Sequence, residues 1–264
     1  MTLLTAERLR LSYGAGAGRH EVLRGVDLQV SPAEIVALVG ESGCGKSSLA
    51  RSLVGLQDLD DGQVRYDGRD VHALGRRRRD RELLTLQLVF QSASACLNPR
   101  RTIGSQVADG RDGAPRLRTP EVATVLEQVG LAPSFADRRP DALSGGQRQR
   151  AAIAAALTVN PRLLVLDEPF AALDASAQAQ LANLLLQLRQ EQEMALLVIS
   201  HDLGIVRQVA DRCLVMREGS IVEEGPTEQL WRAPQHEYTR RLLDSIPGRQ
   251  RAVTAAPLRK VERP

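Results

Sequence analysis

Three continuous runs of apolar residues stand out in the pattern of hydrophobic and polar positions along the chain. They cover Ile35 to Val39, Leu163 to Leu166 and Ala195 to Ile199. Runs of this length without alternation are typical of strands buried on both faces, as in a parallel sheet. Groups able to do chemistry follow the runs: Gly40 after the first, Asp167 and Glu168 after the second, and His201 after the third. Ligands gather outside the carboxyl ends of such strands, so we expect these groups to meet at one edge of the sheet.

The remaining pattern indicates smaller units around this sheet. Val26, Leu28 and Val30 alternate with polar residues, which predicts a strand with one solvent-exposed face. Gln63 to Tyr66 predict a second short strand before the turn at Asp67 and Gly68. Residues from about 92 to 160 are polar, helical in period and interrupted by prolines, which indicates an inserted helical subdomain. After Gly225 we expect two short helices around Leu230 and Leu242, and then a tail.

The first apolar run leads into a glycine-rich loop that fits the pattern G-x-x-x-x-G-K-[ST]. Leu49, Leu53, Val54 and Leu56 follow at helical spacing, so the loop joins a strand to a helix N-terminus. Backbone N–H groups and the helix dipole favour phosphate at such a position. A glycine-rich turn that meets the pattern by chance is the alternative, and the flanking strand and helix argue against it. The residues expected to contact the nucleotide in this loop are Gly40, Ser42, Gly43, Cys44, Gly45, Lys46, Ser47 and Ser48.

The carboxylates at the end of the second run suggest how a bound nucleoside triphosphate would be hydrolysed. Asp167 is placed to hold Mg²⁺ together with the Ser47 hydroxyl, and Glu168 is placed to polarise the attacking water. His201 could contact the γ-phosphate. Structural caps at a strand end are the alternative for the two acids, and a packing role is the alternative for the histidine.

A second glycine-hydroxyl segment begins another predicted helix at Ser144, Gly145, Gly146 and Gln147. Such a helix start is a second anion-binding site within one chain. A single nucleotide cannot use two phosphate cradles on separate subdomains unless another copy supplies one. We therefore expect a head-to-tail pair of subunits, with each nucleotide between the loop at 40–48 of one and Ser144 to Gly146 of the other.

Composition and charge exclude several other classes of protein. The chain has 264 residues, 43% of them hydrophobic, and a net charge of +3. The basic cluster from Arg76 to Arg81 contains no aromatic residues for stacking on bases, so we expect a solvated segment and no nucleic-acid partner. Three scattered cysteines indicate a reducing compartment without disulfides or zinc. No signal peptide and no apolar run long enough to span a membrane is visible, which predicts a soluble, cytoplasmic chain.

Over about residues 3 to 225 the chain resembles the ATP-binding cassette (ABC) ATPase family. The matching motifs, in order, are Walker A at 40–48, the Q-loop at Gln91, the signature at Leu143 to Gln147, Walker B and the catalytic glutamate at 163–168, the D-loop at 171–174 and the switch histidine at His201. The resemblance implies an α/β fold: a P-loop NTPase core with a mixed, mainly parallel sheet, an N-terminal antiparallel β-subdomain and an inserted helical subdomain. It also implies that Tyr13 stacks on adenine, that Gln91 touches Mg²⁺ and water, and that Asp174 lies in the nucleotide site. Residues 1–240 would form the nucleotide-binding domain and 225–264 a C-terminal extension and tail.

Two further segments, Leu97 to Gly104 and Ala233 to Leu243, are similar to the oligopeptide, dipeptide and nickel importer ATPases. That resemblance implies a second ATPase subunit, identical or paralogous, and two transmembrane permeases. It also implies an extracytoplasmic substrate-binding protein and a place at the cytoplasmic face of the cell membrane. Some of these ATPases carry an iron–sulfur cluster in a C-terminal cysteine group, and since no cysteine follows Cys213 we expect none here.

The chain also departs from the family pattern and leaves two other functions open. Ala171 stands where serine is usual in the D-loop, and Ala155 where arginine is usual after the signature. Neither change affects a phosphate, metal or water ligand. The alternative to an importer subunit is a soluble cassette ATPase of a phosphonate-cleaving enzyme complex, which shares much of the C-terminal pattern. A nucleic-acid-linked cassette protein fits less well, because no second cassette or long coiled coil is visible.

Overall fold

A computed structural model describes residues 2–72, 81–91, 96–109 and 119–246. Ten strands in this part of the chain form two sheets. The strands, numbered in chain order, are β1 (Leu4–Tyr13), β2 (His20–Val30), β3 (Ile35–Val39), β4 (Asp61–Tyr66), β5 (Arg69–Asp70), β6 (Leu86–Val89), β7 (Leu163–Asp167), β8 (Ala195–Ile199), β9 (Arg212–Arg217) and β10 (Ser220–Pro226).

The larger sheet has six strands in the order β10-β9-β3-β8-β7-β6. All neighbours from β9 to β6 run parallel, and only β10 returns antiparallel to β9. The three apolar runs are its central strands β3, β8 and β7, which are buried at every position. Their side chains are apolar on both faces because helices or the second sheet cover each face, which confirms the predicted mainly parallel core.

The smaller sheet is antiparallel, in the order β2-β1-β4-β5. Val26, Leu28 and Val30 of β2 are buried, and the polar residues between them are exposed, as their alternation predicts. This sheet packs on the P-loop side of the larger one, since Leu23 and Val26 share an apolar cluster with Leu38 and Leu49.

Helices occupy the segments between the strands and follow the last of them. Those described, again in chain order, are α1 (Lys46–Leu53), α2 (Ile103–Ala108), α3 (Thr119–Gln128), α4 (Gly145–Leu157), α5 (Ala175–Gln192), α6 (Leu203–Val209), α7 (Thr227–Arg232) and α8 (Glu237–Asp244). Helices α2, α3 and α4 lie within the residues for which the sequence predicts an inserted helical subdomain. They share one core with α5 and with strands of the larger sheet.

A separate apolar cluster joins the C-terminal helices to the larger sheet. Trp231 and Tyr238 pack there against Ala37, Val39 and Val215 of β3 and β9. The two short helices expected after Gly225 therefore belong to the folded unit and cover one end of the sheet next to the P-loop.

Several expectations differ from the structure or lie outside it. Helical spacing continued to Val54 and Leu56, but the helix ends at Leu53, because Gly55 has a φ of +69° and Leu56 is exposed. Most of the basic cluster at 76–81 and the tail after residue 246 lie outside the described residues. Glu218 and Gly219 connect β9 to β10 in a hairpin, with positive φ at both residues.

Candidate functional site: a phosphate loop with two strand-end carboxylates

The glycine-rich loop has a backbone that only glycine accommodates at two of its positions. Gly40 has a φ of +155°, and a Cβ there would lie 2.2 Å from the carbonyl oxygen of Met216. Gly45 has a φ of +109° and is the N-cap of α1, and a Cβ there would lie 2.8 Å from the carbonyl oxygen of Val22. The loop thus fits closely against β9 and β2, and this fit helps to direct its amides.

Lys46 lies under the loop and is 6% exposed. Its ammonium donates hydrogen bonds of 2.8 Å to the carbonyl oxygens of Gly40 and of Glu41. The Cys44 sulfur lies 3.8 Å from the same nitrogen, and burial raises the pKa of the Cys44 thiol, so the thiol stays neutral. An ammonium has three N–H groups, and two of them brace the loop. The third can donate to a phosphate oxygen.

The first strand-end carboxylate meets the hydroxyl that follows Lys46. The Oγ of Ser47 donates to Oδ1 of Asp167 at 3.1 Å. Asp167 is 2% exposed, and burial raises the pKa of its carboxyl group, while the Ser47 hydrogen bond acts in the opposite direction. A buried carboxylate beside a hydroxyl oxygen is a pair of hard ligands, which suits Mg²⁺. No group of three or more His, Cys, Asp or Glu that could hold a metal occurs among the described residues. Mg²⁺ at a phosphate site needs only one or two protein ligands, so this finding is compatible with the pair.

The second strand-end carboxylate contacts the predicted histidine directly. Glu168 has a φ of +50°, which turns the chain sharply after β7, and its Oε2 lies 2.7 Å from Nδ1 of His201. The Glu168 side chain is 10% exposed and that of His201 is 67% exposed. Since a carboxylate can only accept, the proton of this contact lies on Nδ1 of His201. The sequence predicted that both residues reach the same edge, but it did not predict that they touch each other.

Tyr13 and Gln91 complete this first group. Tyr13 ends β1, is 41% exposed, and places its hydroxyl 3.2 Å from Oγ of Ser48. An exposed ring beside the start of α1 is available for stacking on a planar group. Gln91 is exposed and lies two residues beyond Val89, which pairs with Leu166 of β7, so Gln91 follows β6 at the same edge of the sheet as Glu168.

Ser144 to Gln147 form a second group. The Ser144 Oγ accepts from the N–H of Gln147, and the Gln147 side chain accepts from the N–H of Ser144 at 2.9 Å, which is a capping box. A Cβ on Gly146 would lie 3.1 Å from the Cβ of Ala177, and one on Gly145 would lie 3.7 Å from Leu173. Gly146 therefore lets α4 begin close to the first turn of α5, whereas a Cβ on Gly145 would make only an ordinary contact.

Asp174 lies with this second group and has a local role of its own. Its Oδ1 accepts from the N–H of Ala177 at 2.8 Å, which makes it the N-cap of α5. The structure thus provides a capping reason for this residue in addition to the nucleotide contact that the family resemblance implies.

A residue from the C-terminal helix also reaches the P-loop. The hydroxyl of Tyr238 accepts a 3.0 Å hydrogen bond from the N–H of Glu41. Nothing in the motif pattern links these two positions, which are 197 residues apart. In the sequence, Tyr238 stood only within a segment similar to importer ATPases.

A comparison with protein-family models finds the ABC transporter family, matched over residues 23–171. This chain belongs to the ABC transporter family. The matched residues contain the P-loop, Gln91, the Ser144 helix start and both strand-end carboxylates. Together with the α/β P-loop fold, they identify an ATP-binding cassette ATPase.

Curated relatives are similar over almost the whole chain. An oligopeptide transport ATP-binding protein of Bacillus subtilis (strain 168), OppF, is 40% identical over 253 residues, which are 93% of this chain and 82% of that protein. A di/tripeptide transport ATP-binding protein of Pseudomonas aeruginosa (strain UCBPP-PA14), DppF, is 40% identical over 257 residues, 94% of this chain and 80% of that protein.

Solved structures agree with the fold. The ATP-binding cassette MJ0796, in a dimeric post-hydrolysis state bound to ADP and Pi, has a TM-score of 0.73 at 27% identity, and the match covers 85% of this chain and 98% of that one. The protein cbiO1 of Clostridium perfringens, part of the ABC transporter complex cbiONQ, has a TM-score of 0.76 at 24% identity, covering 96% and 99%. The second match supports the fold alone.

Proposed function

We propose that this chain is the ATP-hydrolysing subunit of an ABC importer that takes up peptides. The observation that carries the proposal is the 40% identity, over nearly the full chain, to proteins named for oligopeptide and di/tripeptide transport. The set of groups needed for ATP hydrolysis is present, which supports an energising subunit rather than an inactive copy. Nickel as a cargo stays a prediction from the importer resemblance.

The chain's own groups would bind the triphosphate by charge and by backbone donors. The amides of the P-loop and of the start of α1 would donate to the phosphates, and Lys46 supplies a positive charge at the centre of the loop. Ser47 and Asp167 would hold Mg²⁺, which neutralises the β- and γ-phosphate oxygens when bound. The exposed ring of Tyr13 would stack on adenine.

Glu168 is the group best placed to act on water. Asp167 accepts from the Ser47 hydroxyl, whereas the carboxylate of Glu168, whose backbone is left-handed, contacts His201. The 2.7 Å contact with His201 fixes its orientation, so that one oxygen is engaged and the other can accept a proton from the attacking water. In this arrangement His201 is a positioning group for Glu168 before any contact with the γ-phosphate.

A second copy of the cassette would complete each nucleotide site. Ser144 Oγ accepts from its own helix, which leaves the hydroxyl proton to donate outward, and Gly145 and Gly146 have no side chains to block an approaching phosphate. The dimeric state of MJ0796 supports a paired arrangement. The partner would be a second ATPase subunit, identical or paralogous, placed head to tail.

Membrane attachment would come from other subunits. Within the described ranges, no helix has both the length and the apolar character needed to cross a bilayer. We propose that two permeases bind the chain at the cytoplasmic face of the membrane, with exposed Gln91 near the docking surface. An extracytoplasmic binding protein would deliver the peptide to the permeases.

Purification in mild detergent tests this function. The tagged full chain should co-purify with two membrane proteins, and the reconstituted complex with its binding protein should hydrolyse ATP faster when oligopeptides are added. Nickel ions without peptide serve as the matched control and should have no effect. Recovery only with soluble enzymes would contradict the proposal and favour the phosphonate-complex alternative, and stimulation by nickel alone would reassign the cargo.

A further inference from the structure

The C-terminal helix α8 makes a hydrogen bond to the phosphate loop through one side chain. The phenolic oxygen of Tyr238 accepts from the backbone N–H of Glu41 at 3.0 Å. We propose that Tyr238 is a positioning residue for ATP binding, which holds the peptide unit between Gly40 and Glu41 in the orientation that Lys46 requires. The inference rests on the P-loop binding the phosphates of ATP.

The two hydrogen bonds act on the same peptide unit. The N–H of Glu41 and the C=O of Gly40 belong to one planar group and point in opposite directions. Tyr238 accepts from its N–H, and the Lys46 ammonium donates to its C=O at 2.8 Å. A peptide bonded at both ends is polarised, and each bond strengthens the other. If the phenolic oxygen is removed, the peptide keeps only the Lys46 bond and can rotate about the flexible Gly40.

Tyr238 is itself held by contacts that do not involve the P-loop. It is 5% exposed and belongs to the apolar cluster that contains Val39 and Trp231. The guanidinium of Arg217 lies 5.2 Å from its ring centroid. Burial raises the pKa of the Tyr238 hydroxyl, so the group stays neutral in the physiological range. The hydroxyl is therefore presented to the loop from a fixed ring.

The backbone before Tyr238 is hydrogen-bonded to a side chain of β10. Both carboxylate oxygens of Glu223 accept backbone N–H groups, from Gln235 at 2.7 Å and from His236 at 3.0 Å. The Nδ1 of His236 then accepts the N–H of Tyr238 at 3.1 Å. A continuous series of contacts thus runs from the last strand through the start of α8 to the phosphate loop.

The loop has little packing on the same side. Residues 41 to 44 line a cavity of about 530 Å³, together with Tyr238, Arg241 and Leu242. On this side the loop is held by two hydrogen bonds: the Cys44 carbonyl accepts from the N–H of Gly219 at 3.0 Å, and the N–H of Glu41 donates to Tyr238. Since a cavity supplies few van der Waals contacts, loss of the Tyr238 bond would leave the Glu41 N–H without a partner from the C-terminal helices.

The alternative is that Tyr238 only packs α8 onto the sheet. The variant Tyr238→Phe separates the two roles, because it keeps the ring and removes the hydroxyl. Tyr66→Phe is the matched control: Tyr66 is similarly buried, and its hydroxyl bonds Thr85, away from the P-loop. On the purified full chain, we expect Tyr238→Phe to raise the dissociation constant for Mg-ATP about threefold to tenfold, the effect of one lost hydrogen bond. The KM for ATP should rise by the same factor with kcat changed less than about twofold, since the restraint serves ground and transition states alike.

Three results would overturn the inference: an unchanged dissociation constant in Tyr238→Phe, an equal rise in Tyr66→Phe, or a loss confined to kcat. If the wild-type chain itself does not bind ATP, the proposed function fails instead. Amide hydrogen exchange provides a second measurement that needs no stable variant. The N–H of Glu41 should exchange at least about tenfold more slowly than a fully exposed amide in the wild-type chain. Exchange at the exposed rate would also refute the contact.

Discussion

Replacing Glu168 by glutamine tests the central chemical assignment with the smallest change of shape. The Glu168 side chain is 10% exposed and contacts His201 at 2.7 Å. Glutamine retains an oxygen that can accept from Nδ1 of His201, so the local geometry should persist. What is lost is the negative charge and the ability to take a proton from water.

The expected loss follows from the role of a general base. Such a group contributes about 10²- to 10⁴-fold to the rate, which corresponds to roughly 2.7–5.4 kcal/mol of activation free energy. ATP affinity should stay within about threefold of wild type, because the groups expected to hold the phosphates are the P-loop amides, Lys46 and Ser47, and none of these is changed.

Phosphate release under saturating ATP measures kcat, and equilibrium titration measures the dissociation constant. Glu191→Gln is the matched control, since Glu191 is exposed on α5, where its carboxylate accepts from the side-chain amide of Gln187 at 3.1 Å. That variant should hydrolyse ATP at the wild-type rate. If Glu168→Gln keeps kcat within about threefold of wild type, Glu168 is not the base and the reasoning from the strand-end geometry is wrong.

Three further predictions concern the loop, the adenine contact and a distant ion pair. Gly40→Ala should lower the free energy of unfolding, measured by urea titration, by about 2–4 kcal/mol, because it adds a steric clash to the cost of the positive φ. Gly68→Ala, where a Cβ would meet open space, should lower it by only about 1 kcal/mol. Equal losses in the two variants would refute the steric argument. Tyr13→Ala should weaken Mg-ATP binding about tenfold or more while Tyr13→Phe stays near wild type, and equal affinity of both variants would exclude stacking. Burial alone would raise the pKa of Glu34, but hydrogen bonds from Arg212 and from Ser31 lower it below its usual value. The ionised Glu34 carboxylate therefore stabilises the folded protein above about pH 4.5, and this stabilisation is lost as the pH falls through the folded-state pKa of Glu34. Glu34→Gln should cost about 2 kcal/mol at neutral pH, a difference that shrinks as the pH falls below about 4.5, and a constant difference would contradict this sign.

Local patterns in the sequence predict the elements that form the site. The three apolar runs became β3, β7 and β8, because a strand buried on both faces needs apolar side chains at every position. The glycines of the P-loop were also predictable from the local pattern, since the loop needs positive φ at Gly40 and Gly45, but their close approach to β9 and β2 was not. Direction along parallel strands then places Gly40, Asp167 and His201 at one edge.

Contacts between distant segments were decided only by the tertiary structure. β8 lies between β3 and β7 although it follows both in sequence, and this order brings Glu168 against His201. Tyr238 contacts Glu41, 197 residues away in sequence, because α8 packs over the end of the sheet. The hydrophobic periodicity of the sequence does not predict this contact. Hydrophobic spacing reports which face of an element is buried, whereas the partner on that face depends on how the whole chain packs. For that reason the motifs of this ATPase could be read from its sequence, but the side chains that orient them could not.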